Sequence, residues 1–496
     1  MNVVFLCPNV PHPPLNGGHH RNLRLIRSLA RFASVRVFAI GDPSGERALR
    51  AGAELSAEGI TFSVHAPTGP GRSEDDEEDT ERVPDAAAHF RSPELADRLA
   101  QHVGQGRVDL AHVEEVVMAQ YAELLPCPRV IDRQKVDWAY HEGMARVVAS
   151  SAEALAHLRE AARFRGWERR LVGAFDRMLV PGEGDRRLLE PLHGLGLVSV
   201  VPIGIGDDLT PPAGTARHVG HVLLYGARDY GPNVEAEQWF FREAWPALHA
   251  AIPSLEVIVA GSGRPPLRAD PPPAHGTVRL LGFVPEIAGL LRGPGVLVVP
   301  LRVGGGGRTK VLEALACGMP VVSTAVGVEN LGLVPGRDYL LAETATEFVT
   351  AVSRLARDPG LAASLGHAGA ARAEAFRWSR IETSLEPLYR QAAAGSGTAA
   401  RKASAAHAAG SGWTPPAEIV QLQSELLSRR RRSPAVRLAA RGLRRLRRSA
   451  PVLGAEAAAA RWIEEAPEPA GRGGRMRLRL AGLLRRLARQ LAARDR

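Results

Sequence analysis

The stretch Pro300-Leu301-Arg302-Val303-Gly304-Gly305-Gly306-Gly307-Arg308-Thr309-Lys310-Val311-Leu312-Glu313-Ala314-Leu315-Ala316-Cys317-Gly318-Met319-Pro320-Val321-Val322 decides how this chain is read. The apolar run Val296 to Pro300 reads as a buried strand that enters four glycines and then a helix, and Gly318 with Pro320 stops that helix before a new strand. A glycine backbone approaches a ligand closely and presents N–H groups at the positive end of a helix, which makes an anion site. Arg308 and Lys310 add two cations beside it. Glu313, one turn beyond Lys310, is placed to accept two hydroxyl hydrogen bonds from a ribose or sugar. A glycine run alone is as often a bare turn, and Arg, Lys and Glu on a helix usually form a solvated face. The assignment therefore rests on the whole string.

Working outward, apolar runs alternate with helical patterns on both sides. Toward the amino terminus these are Val3 to Cys7, a helix from His20 to Phe32, Val35 to Ile40, Leu110 to Val113, a helix from Val116 to Leu124, Val130 to Asp132, Met178 to Val180 and Val198 to Val201. The alternation restarts with Val222 to Tyr225, a helix from Val234 to His249, Leu255 to Ala260, Val278 to Gly282, Val296 to Pro300 and Val321 to Ser323. Strands alternating with helices imply βαβ units and parallel sheets. The expectation is α/β: two doubly wound halves in series, facing each other across a cleft that the carboxyl ends of the strands line.

The motif string resembles the nucleotide-sugar motif of family 4 glycosyltransferases, the glycosyl transferases group 1, whose fold is GT-B. That resemblance implies a Lys or Arg at the helix start on the donor diphosphate and Glu313 on the ribose. Other segments follow in the family's order over residues 1–393. Pro11 to Gly18 resembles the amino-terminal glycine loop, with Gly17 and Gly18 facing acceptor and donor phosphates. Gly226-Ala227-Arg228-Asp229-Tyr230-Gly231-Pro232-Asn233 resembles the loop that opens the donor domain, and Leu281-Gly282-Phe283-Val284-Pro285-Glu286 the turn that contacts the base. Val201-Pro202-Ile203-Gly204-Ile205 looks like the interdomain segment. The donor set implied is Gly17, Gly18, Arg228, Gly282, Phe283, Val284, Gly305, Gly306, Gly307, Arg308, Lys310 and Glu313. Taken singly, Gly17 and Gly18 fit a capped turn, Phe283 a core ring and Arg228 a surface cation; collinearity carries the set.

Two departures stand out. Many relatives carry a carboxylate eight positions before the ribose Glu, where this chain has Gly305, and a lysine after the Gly226-type loop, where it has Pro232-Asn233. Phosphate neutralisation should then fall on Arg308 and Lys310. A subgroup associated with exopolysaccharide and sugar-chain assembly shares both features and the Asp-Tyr-x-Pro-Asn string. Asp132, at a strand end, lies roughly where relatives carry a polar residue near the reacting carbon and is a better candidate than Asp137, although a capping role fits equally. His112 fits a satisfied buried imidazole at least as well as a functional one. His19 and His20 fit a phosphate contact or a plain helix start, without metal-ligand spacing. No metal or further cofactor is expected; the nucleotide sugar is a substrate.

Charge separates body from tail. Of the net +10, about 22 Lys and Arg against 7 Asp and Glu lie beyond Gly397, so the tail carries about +15 and the body is mildly acidic. A mildly acidic body excludes a basic nucleic-acid stripe on the fold, and no nucleic acid is expected. Cys7, Cys127 and Cys317 lie far apart, which fits a reducing cytoplasm. The run from Met1 to Pro8 is too short for a secretory signal, and no apolar stretch spans a membrane. The expected layout is a first domain over 1–205 with an acidic loop at about 69–84, and a donor domain over 206–377. A helix over 378–395 returns to the first domain, and a basic low-complexity tail covers 396–496. In the tail, Leu480, Leu483, Leu484, Leu487 and Leu491 recur at helical spacing among Arg477, Arg479, Arg485, Arg486 and Arg489, a basic amphipathic pattern suited to an anionic membrane surface.

The expectation is a metal-independent glycosyltransferase moving a sugar to a glycan, lipid-linked or other acceptor, and the resemblance to family 4 implies that it is retaining. The rivals are a nucleotide-sugar epimerase of the same fold, which needs no acceptor, and an inactive donor-binding assembly subunit, which Gly305 keeps open.

Overall fold

The computed structural model describes residues 1–68, 84–213, 218–263 and 278–395. The acidic stretch through 83 and the tail from 396 lie outside the described residues. Two parallel sheets organise the rest. The first contains β1 (Asn2–Cys7), β2 (Ser34–Ile40), β3 (Thr61–His65), β4 (Leu110–Glu114), β5 (Arg129–Asp132), β6 (Arg177–Val180) and β7 (Val198–Val200). Its order is β3-β2-β1-β4-β5-β6-β7. The second contains β8 (His221–Tyr225), β9 (Glu256–Ala260), β10 (Val278–Gly282), β11 (Gly295–Val299), β12 (Val321–Ser323) and β13 (Leu340–Leu341), in the order β10-β9-β8-β11-β12-β13.

The central strands are apolar on both faces because helices cover both. Along β1, Val4 and Leu6 pack into one core while Val3, Phe5 and Cys7 pack into the other. Likewise Leu297 and Val299 of β11 face one layer of the second sheet, and Val296 and Val298 the other. Strand order reverses between β1 and β4 in the first sheet and between β8 and β11 in the second. Chain leaving these neighbours departs in opposite directions, so a crevice opens beyond their carboxyl ends. The glycine loops after β1, β8 and β11 all start at these two points.

Two crossovers tie the lobes. Ile205 N–H donates to the Phe376 carbonyl at 2.9 Å, and Trp378 N–H donates to the Ile205 carbonyl at 3.1 Å. A Cβ at Gly204 would sit 2.5 Å from Trp378 Cδ2, so the indole occupies the space a side chain would need. The helix Trp378–Ala394 then returns across the first sheet, burying Trp378, Ile381, Leu385 and Tyr389 against Val3, Phe5 and Leu110. Each such side chain contributes about 1.5–3 kcal/mol of burial.

Candidate active site

The donor-side loop needs its glycines. Gly305 (φ 154) and Gly306 (φ 76) are in backbone conformations that disfavour side chains. A Cβ at Gly306 would run into the Gln134 carbonyl of the first lobe, one at Gly307 into Ile203, and one at Gly304 into the Arg308 guanidinium. The loop is therefore pressed between its own arginine and the opposite lobe. The helix Thr309–Ala316 starts immediately after it. Across the cleft, Asn16 caps the helix Gly17–Ala30 by accepting from His19 N–H at 2.9 Å. A Cβ at Gly17 would lie 2.6 Å from Thr309 Oγ1, and one at Gly18 2.5 Å from Gln134 Oε1. The two helix starts meet, and two positive helix ends share one space.

The cations of that space are only partly countered among the described residues. Buried Arg308 donates to the Val326 carbonyl at 3.2 Å and the Gly305 carbonyl at 3.1 Å, while its buried Nη2 makes no hydrogen bond and has only Glu329 at 3.7 Å. Lys310 donates to Asn233 Oδ1 at 2.8 Å, and no carboxylate among the described residues pairs with it. Burial, with the Arg308 charge beside it, pulls the Lys310 ammonium down to about 7. Glu313 accepts from the Tyr225 hydroxyl at 3.0 Å, and burial pushes its carboxyl up to about 7. Tyr225, Gly226, Asn233, Pro300 and Lys310 line a single pocket.

Two expected positions are occupied differently. Arg228 is buried and held bidentate by Glu237, with Nη2 to Oε1 at 2.7 Å and Nε to Oε2 at 3.1 Å. Its charge is neutralised within the lobe, so it shapes the pocket wall instead of offering a free cation. Asp132 is 0% exposed and takes both Nε and Nη2 of Arg21, at 2.5 and 2.8 Å. Arg21 also donates to the Pro202 carbonyl at 2.9 Å. Asp132 thus locks the first helix to β5 and, through Arg21, to the crossover. Its partner lies 111 residues away, which no local pattern reveals.

The weaker candidates also settle into structure. His112 stacks on Phe5 at 4.1 Å, pairs with the Tyr389 hydroxyl at 2.9 Å, and is held down at about 4 by burial. His19 is buried, accepts from Leu15 N–H at 3.2 Å and is pulled down to about 3, by burial first and Arg47 second. Gly282 (φ 65) accepts from Gly261 N–H at 2.7 Å, Val284 packs on the second-lobe core, and Phe283 stays 49% exposed at the rim.

Sequence reading missed three features. Gly261 and Gly263 follow β9, and a Cβ at Gly261 would strike the Gly226 carbonyl. The Gly-Ser-Gly after an apolar run was the available signal. Tyr225, the last residue of β8, had none beyond its position. The third is the segment Gln134 to Tyr140 with Glu115. Lys135 donates to Asp137 at 2.8 Å, Tyr140 stacks on Tyr230 of the other lobe at 5.9 Å, and Glu115 holds a left-handed backbone, φ 64, just past β4.

Comparison with known proteins places this fold. Residues 220–358 match the family model described as Glycosyl transferases group 1, so the group 1 resemblance read from the glycine-loop string holds over the second lobe. The D-inositol 3-phosphate glycosyltransferase of Actinosynnema mirum is 32% identical over 255 residues, 45% of this chain and 60% of that protein. The chain spans from 23% to 60% of the length of the curated relatives it matches. Sucrose-phosphate synthase from Thermosynechococcus elongatus superposes with a TM-score of 0.57 at 19% identity, over 79% of this chain and 99% of that one. Anabaena HepE in complex with UDP-glucose gives 0.55 at 15% identity, over 79% and 100%. The fold is GT-B.

Proposed function

We propose that this chain is a glycosyltransferase that moves a sugar from a nucleoside diphosphate donor to a hydroxyl acceptor, with retention and without a metal. The observation that carries the reading is the pair Arg308 and Lys310: two enclosed cations beside glycine amides, with no counter-ion for Lys310 among the described residues and, on Arg308, an Nη2 that makes no hydrogen bond there and has Glu329 only at 3.7 Å. A diphosphate supplies the missing charge. As the sugar–phosphate bond breaks, negative charge grows on the departing diphosphate, and donors already in place lower the barrier. Glu313, one helical turn on, is the acceptor for ribose hydroxyls. Gly17 and Gly18 bring the first helix start to the same phosphates. Gly282, Phe283 and Val284 are the base-side turn, and Gly305, Gly306 and Gly307 supply backbone N–H groups.

UDP and UDP-glucose are the first ligands to try, because HepE was solved with UDP-glucose and the relatives' names specify sugar transfer. A polysaccharide or glycoconjugate pathway with a glycan or lipid-linked acceptor is the context we favour, from Asp229-Tyr230-Gly231-Pro232-Asn233 and Gly305. The basic tail would hold the chain at the inner face of a cell membrane. No helix of the described residues is long and apolar enough to cross one. The deciding experiment is calorimetry with nucleoside mono- and diphosphates followed by release of diphosphate from the nucleotide sugar. Diphosphate binding that exceeds monophosphate binding, and that is lost in Arg308→Ala and Lys310→Ala, supports the reading. Equal affinity for both, unaffected by either substitution, refutes it.

A further inference from the structure

Glu115 is out of place by every local rule. Among the described residues only Glu115 and Asn330 are non-glycine residues with positive φ, and an unbranched charged side chain gains nothing from that conformation. Glu115 follows Glu114, which is fully buried, and Glu114 pairs across the sheet with Asp132. The cation that acts on Glu115 most strongly, Lys135, is spent on Asp137 at 2.8 Å. No hydrogen bond or ion pair engages the Glu115 carboxylate among the described residues. A half-buried, unpaired carboxylate on a strained backbone persists only where the surroundings impose it, and such positions gather at functional sites.

Its place in the fold supplies the second argument. Glu115 is the first residue beyond β4, and β1 and β4 flank the point where strand order reverses. Its neighbour across that point is the Gly17 loop, which touches Thr309. The segment that follows β5 covers the opposite glycine loop: a Cβ on Gly305 would lie 3.3 Å from Lys135 Cβ and 3.8 Å from Tyr140 Cβ. The charged and titratable groups facing Glu115 are Lys135, Asp137, Arg133, Asp132, Glu114 and, from the second lobe, Tyr230. Burial first and Asp137 next raise its carboxyl to about 7, against the pull of Lys135, which suits a proton acceptor near neutrality.

We propose, resting on the glycosyltransferase reading above, that Glu115 is the acceptor-side carboxylate of the cleft, receiving the hydrogen bond and then the proton of the attacking hydroxyl. In the step, the acceptor O–H bond breaks and its proton passes to Glu115. The freed oxygen bonds to the anomeric carbon on the face from which the phosphate leaves, and the bond from that carbon to the phosphate oxygen breaks, so that configuration is kept. The electron pair leaves on the nucleoside diphosphate, where Arg308 and Lys310 meet it. Donor and acceptor roles are thus divided between lobes.

The test uses the full chain, with uridine, guanosine, adenosine and thymidine diphosphate glucose as probes and water as the acceptor. For the probe that binds, Glu115→Gln should keep the wild-type Kd yet release nucleoside diphosphate at least about a hundredfold more slowly. At saturating donor, wild-type release should climb with pH to a plateau above about 7, because the proton acceptor must be ionised, and the climb should vanish in Glu115→Gln. Glu115→Gly, which relieves the left-handed backbone, should raise the unfolding midpoint while release is lost. A purely structural residue would not separate the two. Release by Glu115→Gln within twofold of wild type, or with the pH climb intact, overturns the assignment. So does loss of nucleotide binding in Glu115→Gln while the unfolding midpoint is kept. A wild-type chain that binds none of the four probes overturns the donor reading itself and the assignment with it.

Discussion

Lys310 is caught between two demands: it must stay enclosed to meet a diphosphate, and enclosure beside Arg308 strips it of its proton near pH 7. The sign follows directly. A depressed ammonium is mostly neutral at pH 8 in the free chain, and a bound diphosphate restores the charged form, so binding at pH 8 takes up a proton. Calorimetry in buffers of differing ionisation enthalpy should show that uptake, its disappearance in Lys310→Ala, and its decline by pH 6, where the ammonium is already charged. Diphosphate affinity should fall as pH rises from 7 to 9, since linkage makes proton uptake and affinity two views of one free energy. Glu313 bears on the same ligand from the ribose side. Glu313→Gln keeps an oxygen for the Tyr225 hydroxyl and so keeps the fold, but loses a charge-assisted acceptor worth about 1.5–3 kcal/mol. Titration with the nucleotide sugar should show roughly a ten- to hundredfold weaker Kd, and an unchanged Kd would remove Glu313 from the site. That Lys310 and Glu313 share one turn was legible because helix spacing alone sets it. The ion pairs of Asp132 with Arg21 and of Arg228 with Glu237 were not legible, because tertiary packing sets them.

At the scale of elements, the glycine loop separates backbone strain from contact. Gly306 and Gly59 have nearly the same φ, 76 and 79, but a Cβ at Gly59 meets nothing within 4 Å, whereas one at Gly306 strikes the Gln134 carbonyl. Gly59→Ala should cost only the left-handed penalty, about 1–2 kcal/mol, in denaturant unfolding. Gly306→Ala should cost more and should also weaken nucleotide binding, because the loop must shift off the first lobe. Equal costs would mean the lobes do not meet there in solution. Buried strands were the most legible elements, since continuous apolar runs bounded by turn residues have few other readings. The half-exposed edge strand β3 alternates too weakly to stand out, and β13 is only two residues long. The expected helix from Val234 to His249 is broken into Gly231–Trp239, a π-turn over Phe240–Ala244, and Trp245–Ala251. Pro246 lacks an N–H and crowds the preceding turn, so the ladder widens before it. Likewise the helix expected from Val116 to Leu124 is one α-turn, Glu115–Met118, followed by a tighter 3₁₀ segment, Ala119–Leu124.

For the molecule as a whole, the doubly wound order of each lobe was legible, but the way the lobes meet was not. Gly17 against Thr309, Tyr140 against Tyr230, and Asn330, which accepts from Gly184 N–H at 2.9 Å and donates to Asp185 at 2.8 Å, join positions far apart in the chain. No periodicity encodes such pairs. The tail raises the opposite problem: its pattern is legible, yet it lies outside the described residues, so its role rests on charge and spacing alone. Two arginine-rich stretches, Arg429 to Arg448 and Arg472 to Arg496, each interleave leucines with cations. Near an anionic leaflet each basic residue contributes on the order of 1 kcal/mol, and the leucine face adds burial at the headgroup boundary. Screening shortens that attraction to about 10 Å at 0.1 M salt, so binding must weaken as salt rises. The full chain should therefore pellet with phosphatidylserine-containing vesicles at low salt and be released at high salt, while a chain ending at Ala394 should stay in the supernatant. Neutral vesicles should hold neither. If the two chains pellet alike, or neither pellets at low salt, the basic stretches are not what brings this chain to a membrane, and a lipid-linked acceptor loses the support of the tail.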